Sequence, residues 1–197
     1  MADSLAPDAV KPLLRGGFGQ TYLYEEVCRS TQRLLRDESE EGTIAVAEEQ
    51  TEGRGRLGRS WQAPARTSVL VSVLLQPRVE PAKLPELSLV AGGAVAEAIA
   101  EVTGIEPVIE FPNDVLVGGR KVAGILAESS EGRVVLGIGV NVNQTSEELP
   151  AHARTEPTSL RLELGRPVDR AALLAEILAR LERAYDNWIQ GAACGAV

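Results

Sequence analysis

The strongest pattern along the chain is Thr67-Ser68-Val69-Leu70-Val71-Ser72-Val73-Leu74-Leu75, an almost unbroken branched and aliphatic run that predicts a strand covered on both faces. Tyr22 to Val27, aromatic and branched, and Thr43 to Glu48, which alternates, predict two strands before it. Beyond it, Leu87, Val90, Ala94 and Ala98 recur at helical spacing, so a long helix is expected from Pro85 to Val102, ended by Gly104. Three further strands are expected over Pro107 to Phe111, Lys121 to Glu128 and Arg133 to Val140, with turn signals at Gly118-Gly119 and Glu131-Gly132. Short helices are expected over Val10 to Leu14, over Thr31 to Asp37 behind a Ser30 cap, and near Ser159 to Leu164. A final helix from Asp169 to about Gln190 carries Leu173, Ile177, Leu181 and Trp188 on one face. Asn141 to Thr158 is polar and proline-bearing and reads as a mobile loop. Helix, strands, helix, strands and helices follow one another without regular β-α-β alternation. The expected fold class is therefore α+β, with a mixed, largely antiparallel sheet flanked by helices.

Composition narrows the picture. With 197 residues and 44% hydrophobic content the chain can bury a core as one domain, and no repeat or linker divides residues 1–197. A formal net charge of -8 disfavours nucleic acid as a partner, because phosphate neutralisation needs a basic face. Cys28 and Cys194 lack metal-ligand spacing and read as free thiols of a reducing cytoplasm; no zinc site is encoded. The N-terminus lacks the charged and apolar parts of a signal peptide, and no apolar run approaches the roughly 18 residues of a membrane span. A soluble, cytoplasmic protein without a membrane partner is expected. His152, the only histidine, sits among Pro150, Ala151 and Arg154 and reads as a surface-loop residue, which leaves no partner for a His-dependent nucleophile.

The chemistry concentrates in Gly53-Arg54-Gly55-Arg56-Leu57-Gly58-Arg59-Ser60-Trp61. Glycines let backbone approach a ligand, and guanidinium groups pair bidentately with carboxylate or phosphate, so a small anionic ligand is expected here. Gly53, Gly55 and Gly58 also spell G-x-G-x-x-G. A dinucleotide fold, however, needs a buried strand before the glycines and a helix after them. Polar Glu48 to Glu52 precedes, and Ser60-Trp61-Gln62-Ala63-Pro64 follows, so that reading fails. A plain solvated basic loop is the remaining bland alternative, and the interleaved glycines argue against it. Such a loop has few buried contacts, so Leu57 to Trp61 is expected to be mobile until a ligand orders it.

Three more segments join it in order: Ser30-Thr31-Gln32; Phe111-Pro112-Asn113-Asp114 followed by Arg120-Lys121-Val122-Ala123-Gly124-Ile125-Leu126; and Gly137-Ile138-Gly139-Val140-Asn141-Val142-Asn143, with Thr158-Ser159-Leu160 after them. Together they resemble the catalytic domain of biotin-protein ligases, over roughly Tyr22 to Trp188. The resemblance implies the biotin/lipoate ligase fold, similar to class II aminoacyl-tRNA synthetases. It implies an enzyme that joins biotin to ATP, with Mg2+, to give biotinyl-5′-AMP, then passes biotin to a lysine of biotin carboxyl carrier protein, the acetyl-CoA carboxylase subunit. In the roles it implies, Ser30, Thr31, Gln32 and Gln50 would hold biotin. Arg54, Gly55 and Arg56 would close over its carboxylate and the adenylate phosphate, with Gly124, Gly137 and Gly139 leaving room for the flat ligand. Arg56, Arg59, Trp61, Asn113 and Asn141 would line the nucleotide site, and Lys121 would join Arg54 and Arg56 in catalysis. No metal ligand is assigned. A homodimer through a sheet edge is compatible with the family.

The chain departs from the family at one position of charge. The family pattern is Lys-Trp-Pro-Asn-Asp, whereas this chain has Glu110-Phe111-Pro112-Asn113-Asp114. Loss of one stabilising group typically costs about 2.7–4 kcal/mol, and a reversed charge more. Three explanations compete: an impaired ligase, an introduced substitution, or rescue by Lys121 or Arg120. Glu110→Lys is then expected to raise adenylate formation. Neither the DNA-binding helix-turn-helix of the dual ligase-repressors nor the small C-terminal β-barrel of most members is expected, since Gly191 to Val197 has no strand pattern. A non-catalytic biotin or biotinyl-adenylate binder is one rival reading. A lipoate ligase or octanoyl transferase is another, although its Arg-Arg-x-Ser-Gly-Gly-Gly segment is missing.

Overall fold

The structure, a computed structural model, describes residues 3–35, 39–151 and 153–194. Its centre is a seven-stranded mixed sheet in the order β1-β2-β3-β7-β6-β5-β4. The strands are β1 Tyr22–Cys28, β2 Ile44–Gln50, β3 Ser68–Leu75, β4 Val108–Glu110, β5 Asp114–Val117, β6 Arg120–Ser130 and β7 Arg133–Asn141. β1 and β2 run parallel and every other neighbouring pair is antiparallel. β3 lies near the middle of the sheet and is buried at all eight positions, as its apolar run predicts.

The helices are α1 Pro7–Val10, α2 Leu87–Thr103, α3 Leu160–Leu164 and α4 Arg170–Cys194. On α2, Leu87, Ala91, Ala94, Val95, Ala98 and Ile99 are buried at helical spacing, and they join the apolar sheet positions and the Leu173–Leu181 face of α4 in one core. Gly104 ends α2 in the left-handed conformation. Asp169 accepts from the Ala172 N–H at 3.0 Å, so α4 begins on a side-chain cap. α4 then continues past the expected end at about Gln190 into the small-residue segment, as far as Cys194.

Several expectations change. The Val10 to Leu14 helix is a four-residue α1 followed by a 3-10 turn, and the segment after Ser30 is a 3-10 turn, Thr31–Leu34, without a side-chain cap. β5 went unread. Gly118-Gly119, both at positive φ, joins β5 to β6 in a two-residue turn, and Glu131-Gly132 joins β6 to β7 in the same way. The 141–158 segment is tied down by a 3-10 turn with a Thr145/Glu148 capping box and by a buried network. In that network Gln144 Nε2 donates to Ser68 Oγ at 2.6 Å and to Asn141 Oδ1 at 3.1 Å, and Ser159 Oγ donates to the Gln144 carbonyl at 2.7 Å. Cys28 is buried and unbridged, and burial pushes its thiol up to about 11. His152, the expected helix end at Asp37 and the residues from Gly195 lie outside the described residues. Among the described residues no helix is long and apolar enough to cross a membrane.

Candidate functional site

The sheet face opposite the helices carries a cavity of about 750 Å³, within the range of small-molecule sites. Register builds its floor. Ser72 on β3 stands opposite Gly137 on β7, which stands opposite Leu126 on β6; one step along, Leu70, Gly139 and Gly124 form a second row. Directly paired residues share a face, so the two β7 glycines and Gly124 leave bare backbone where other residues would project side chains.

Each row carries one or two side chains from the connecting segments. Over the first row, Thr31 Oγ1 lies 2.8 Å from Ser72 Oγ, and the Thr31 N–H donates to Gln50 Oε1 at 2.8 Å. Ser30, Thr31 and Ser72 are buried. The Gln50 amide oxygen is thus engaged, and its Nε2 lies beside Gly53, where an added Cβ would stand 3.2 Å from it. Gln32 lies across Gly137, with weak donation at 3.4 Å to the carbonyls of Leu126 and Val135. Over the second row lies the Trp61 indole, close enough that a Cβ at position 139 would stand 2.6 Å from its ring. Gly139 therefore makes room for Trp61, a use of the glycine different from the expected accommodation of ligand.

The rim on the β5–β6 side is cationic. Lys121 Nζ donates to Asp114 Oδ1 at 2.7 Å and stands 5.7 Å from the centroid of the Trp61 ring. The Lys121 backbone is fixed between the Glu156 carbonyl and the Thr158 N–H. Arg56 Nη1 donates to Asn113 Oδ1 at 3.2 Å, Arg59 Nε donates to the Arg56 carbonyl, and Arg54 pairs with Glu128 on β6. Among the described lining residues five are cationic, Arg54, Arg56, Arg59, Lys121 and Arg154, against the single carboxylate of Asp114. A chain with a net charge of -8 thus gathers positive charge at one opening.

The 53–61 segment carries backbone hydrogen bonds of its own. Arg54 bridges to Ser60, the Gly55 N–H donates to the Arg59 carbonyl at 2.7 Å and the Trp61 N–H to the Gly53 carbonyl at 2.9 Å. Arg54 and the residues from Arg56 to Ser60 are exposed, Leu57 at the tip to 87%.

Ser30, Thr31, Gln32, Gln50, Arg54, Gly55, Arg56, Arg59, Trp61, Asn113, Lys121, Gly124, Gly137, Gly139 and Asn141 all line this one cavity. Glu110 does not. It lies exposed on the edge strand β4, opposite Asp114 in the register, whereas Lys121 lines the cavity. Asn141 reaches the cavity with its amide already committed, Nδ2 to the Thr158 carbonyl at 3.0 Å and Oδ1 to Gln144. Residues missed by sequence reasoning are Ser72, legible as a polar interruption of an apolar strand, and Arg154, for which the polar loop gave no signal. For a divalent cation no group of three His, Cys, Asp or Glu side chains occurs among the described residues. Magnesium needs only one or two carboxylates when phosphate oxygens complete its shell, which Asp114 can satisfy.

Comparison with known proteins agrees with this geometry. The sequence model of the biotin/lipoate A/B protein ligase family matches residues 24–144. The bifunctional ligase/repressor BirA of Bacillus spizizenii is 38% identical over 180 residues, covering 87% of this chain and 55% of that protein. A biotin--[acetyl-CoA-carboxylase] ligase of Mycobacterium tuberculosis is 41% identical over 153 residues, 75% of this chain and 56% of the relative. The biotin protein ligase of Aquifex aeolicus, solved with biotin and ATP, superposes with a TM-score of 0.79 at 35% identity, covering 87% of this chain and 72% of that one. The chain spans about half the length of these curated relatives.

Proposed function

The chain belongs to the biotin/lipoate A/B protein ligase family, and from that premise we propose that it is a biotin-protein ligase, forming biotinyl-5′-AMP and passing biotin to a lysine of a biotin carboxyl carrier protein. The observation that carries the reading is the change of chemistry across one cavity. A neutral hydrogen-bonding end at Ser30, Thr31 and Gln50, with buried Ser72 behind Thr31, gives way to a rim of five cations around one carboxylate. Biotin has that profile, a neutral ureido ring joined by an aliphatic chain to a carboxylate.

In this reading Ser30, Thr31 and the Gln50 amide bind the ureido end, and the valeryl chain leads from there to the cationic rim. Its carboxylate and the α-phosphate of ATP meet among Arg54, Arg56 and Lys121, while Trp61 and Asn141 bound the adenosine. A carboxylate oxygen attacks the α-phosphorus as the bond to pyrophosphate breaks. The carrier lysine amine then attacks the acyl carbon, AMP departs, and the amine proton is lost to solvent. No covalent enzyme intermediate is needed, so the protein acts by positioning two anions and stabilising their charge. Mg2+ arriving with ATP would be held by Asp114 and phosphate oxygens and would neutralise phosphate charge. A homodimer through a sheet edge and a cytoplasmic location belong to the same proposal.

Pyrophosphate release tests the first step. Release that requires both biotin and ATP, and does not occur with lipoate in place of biotin, is the expected result. Binding of biotin without pyrophosphate release would assign the cavity to a non-catalytic binder instead.

A further inference from the structure

Gly124 and Gly139 are direct cross-strand partners at the centre of the cavity floor. Neither has a positive φ, so the backbone at these positions accepts any L-residue. What forbids a side chain is one neighbour. A Cβ at position 139 would stand 2.6, 2.8 and 3.0 Å from Cε2, Cζ2 and Nε1 of Trp61, and one at position 124 would stand 3.0 Å from Cζ3 of the same ring. At position 139 the gaps are closed to real Cβ atoms and at 124 the gap is tighter than nearly all real contacts, and the obstacle at both is a rigid aromatic ring. At position 124 the added atom would also crowd Lys121, at 3.3 Å from Cε and from Nζ.

The indole is held here by shape. Its Nε1 is buried and has no hydrogen-bond partner among the described residues, so no polar contact fixes the ring plane. The backbone of Trp61 is fixed instead through Gly53, which leaves the ring only the flat Gly124/Gly139 patch on which to lie. From that position the ring face meets the Lys121 ammonium at 5.7 Å.

We propose that Gly124 and Gly139 are positioning residues for Trp61: a cross-strand seat without Cβ atoms that sets the plane of the indole and, through it, the place of Lys121 beside the nucleotide. The role of Trp61 as a wall of the nucleotide site rests on the ligase reading; the seat itself does not. Gly139 then acts on ATP through Trp61, whereas a glycine that only leaves room for ligand would act on ligand directly.

A cycle of Gly139→Ala and Trp61→Ala in the full chain separates the two. With Trp188→Phe as background, emission reports Trp61 alone, and Gly139→Ala is expected to move it to longer wavelength and open it to acrylamide quenching, with no ligand present. Pyrophosphate release is expected to show a KM for ATP raised at least about tenfold by Gly139→Ala when Trp61 is present, with the KM for biotin changed far less. In the Trp61→Ala background the same substitution should change the KM for ATP less than about twofold. Unchanged emission, or an equal loss in both backgrounds, would overturn the proposal. Should Gly139→Ala alone fail to fold, recovery in the double variant supports the seat and failure of both variants overturns it. If the parent chain releases no pyrophosphate, the ligase reading fails, and the seat is judged on emission alone.

Discussion

Lys121 and Glu110 sit on neighbouring parts of the sheet but in different surroundings. Lys121 is partly buried, paired with Asp114 at 2.7 Å and pinned at its backbone, so its ammonium is held at the cavity wall. Glu110 is exposed on β4 and outside the cavity, where solvent and salt screen it. The family motif alone makes Glu110 a reversal of charge at the reaction centre; in the structure Lys121 lines the cavity and Glu110 does not, and the ligase reading therefore assigns the reacting cation to Lys121. Lys121→Ala is therefore expected to lower the rate of pyrophosphate release by about 10²–10³, while Glu110→Lys changes it less than about threefold. A larger gain from Glu110→Lys would return residue 110 to the reaction centre. Most site residues were legible because their chemistry repeats a motif of small and charged residues in order. Ser72 escaped although it interrupts an apolar strand, because its role depends on contact with Thr31 from a distant turn, and Arg154 escaped because a polar loop does not show which of its residues reaches the cavity.

At the level of elements, one buried ion pair joins the sheet to the last helix. Arg170, the first residue of α4, and Glu48 of β2 are both fully buried, with Nη1 2.6 Å from the Glu48 carboxylate. Arg170 also donates to the Ser68 carbonyl and to Asp3, and the Leu5 N–H donates to Glu48, so β2, β3, α4 and the N-terminal segment meet at this pair. Ser68 in turn accepts from Gln144, which holds Asn141 at the cavity. Breaking such a pair from one side leaves an uncompensated buried charge. Arg170→Met should cost about 3–5 kcal/mol in urea unfolding, with part recovered in Glu48→Leu/Arg170→Met. Equal destabilisation in the single and double variants would show that packing, and not charge, sets the loss. The sequence marked long periodic elements well, and α2 and β3 needed only boundary changes. β5 was lost because four residues between Asn113 and Gly118 give periodicity too little length, and the parallel pairing of β1 with β2 is set by a connection whose path no local pattern records.

The whole molecule sets a locally cationic cavity in an acidic chain, an arrangement that concentrates small anions at one opening without making the surface a polyanion binder. The fold supplies a flat floor, a neutral pocket and a charged rim; the ligase reading is the claim that these three are used together on biotin, ATP and a carrier lysine. One measurement tests that claim end to end: incubation of the chain with biotin, ATP, Mg2+ and a biotin carboxyl carrier domain, followed by mass analysis of the carrier. The account predicts one biotin on the acceptor lysine, dependent on both ATP and biotin and abolished when that lysine is replaced by arginine. An unmodified carrier, under conditions in which an authentic biotin-protein ligase labels it fully, would contradict it.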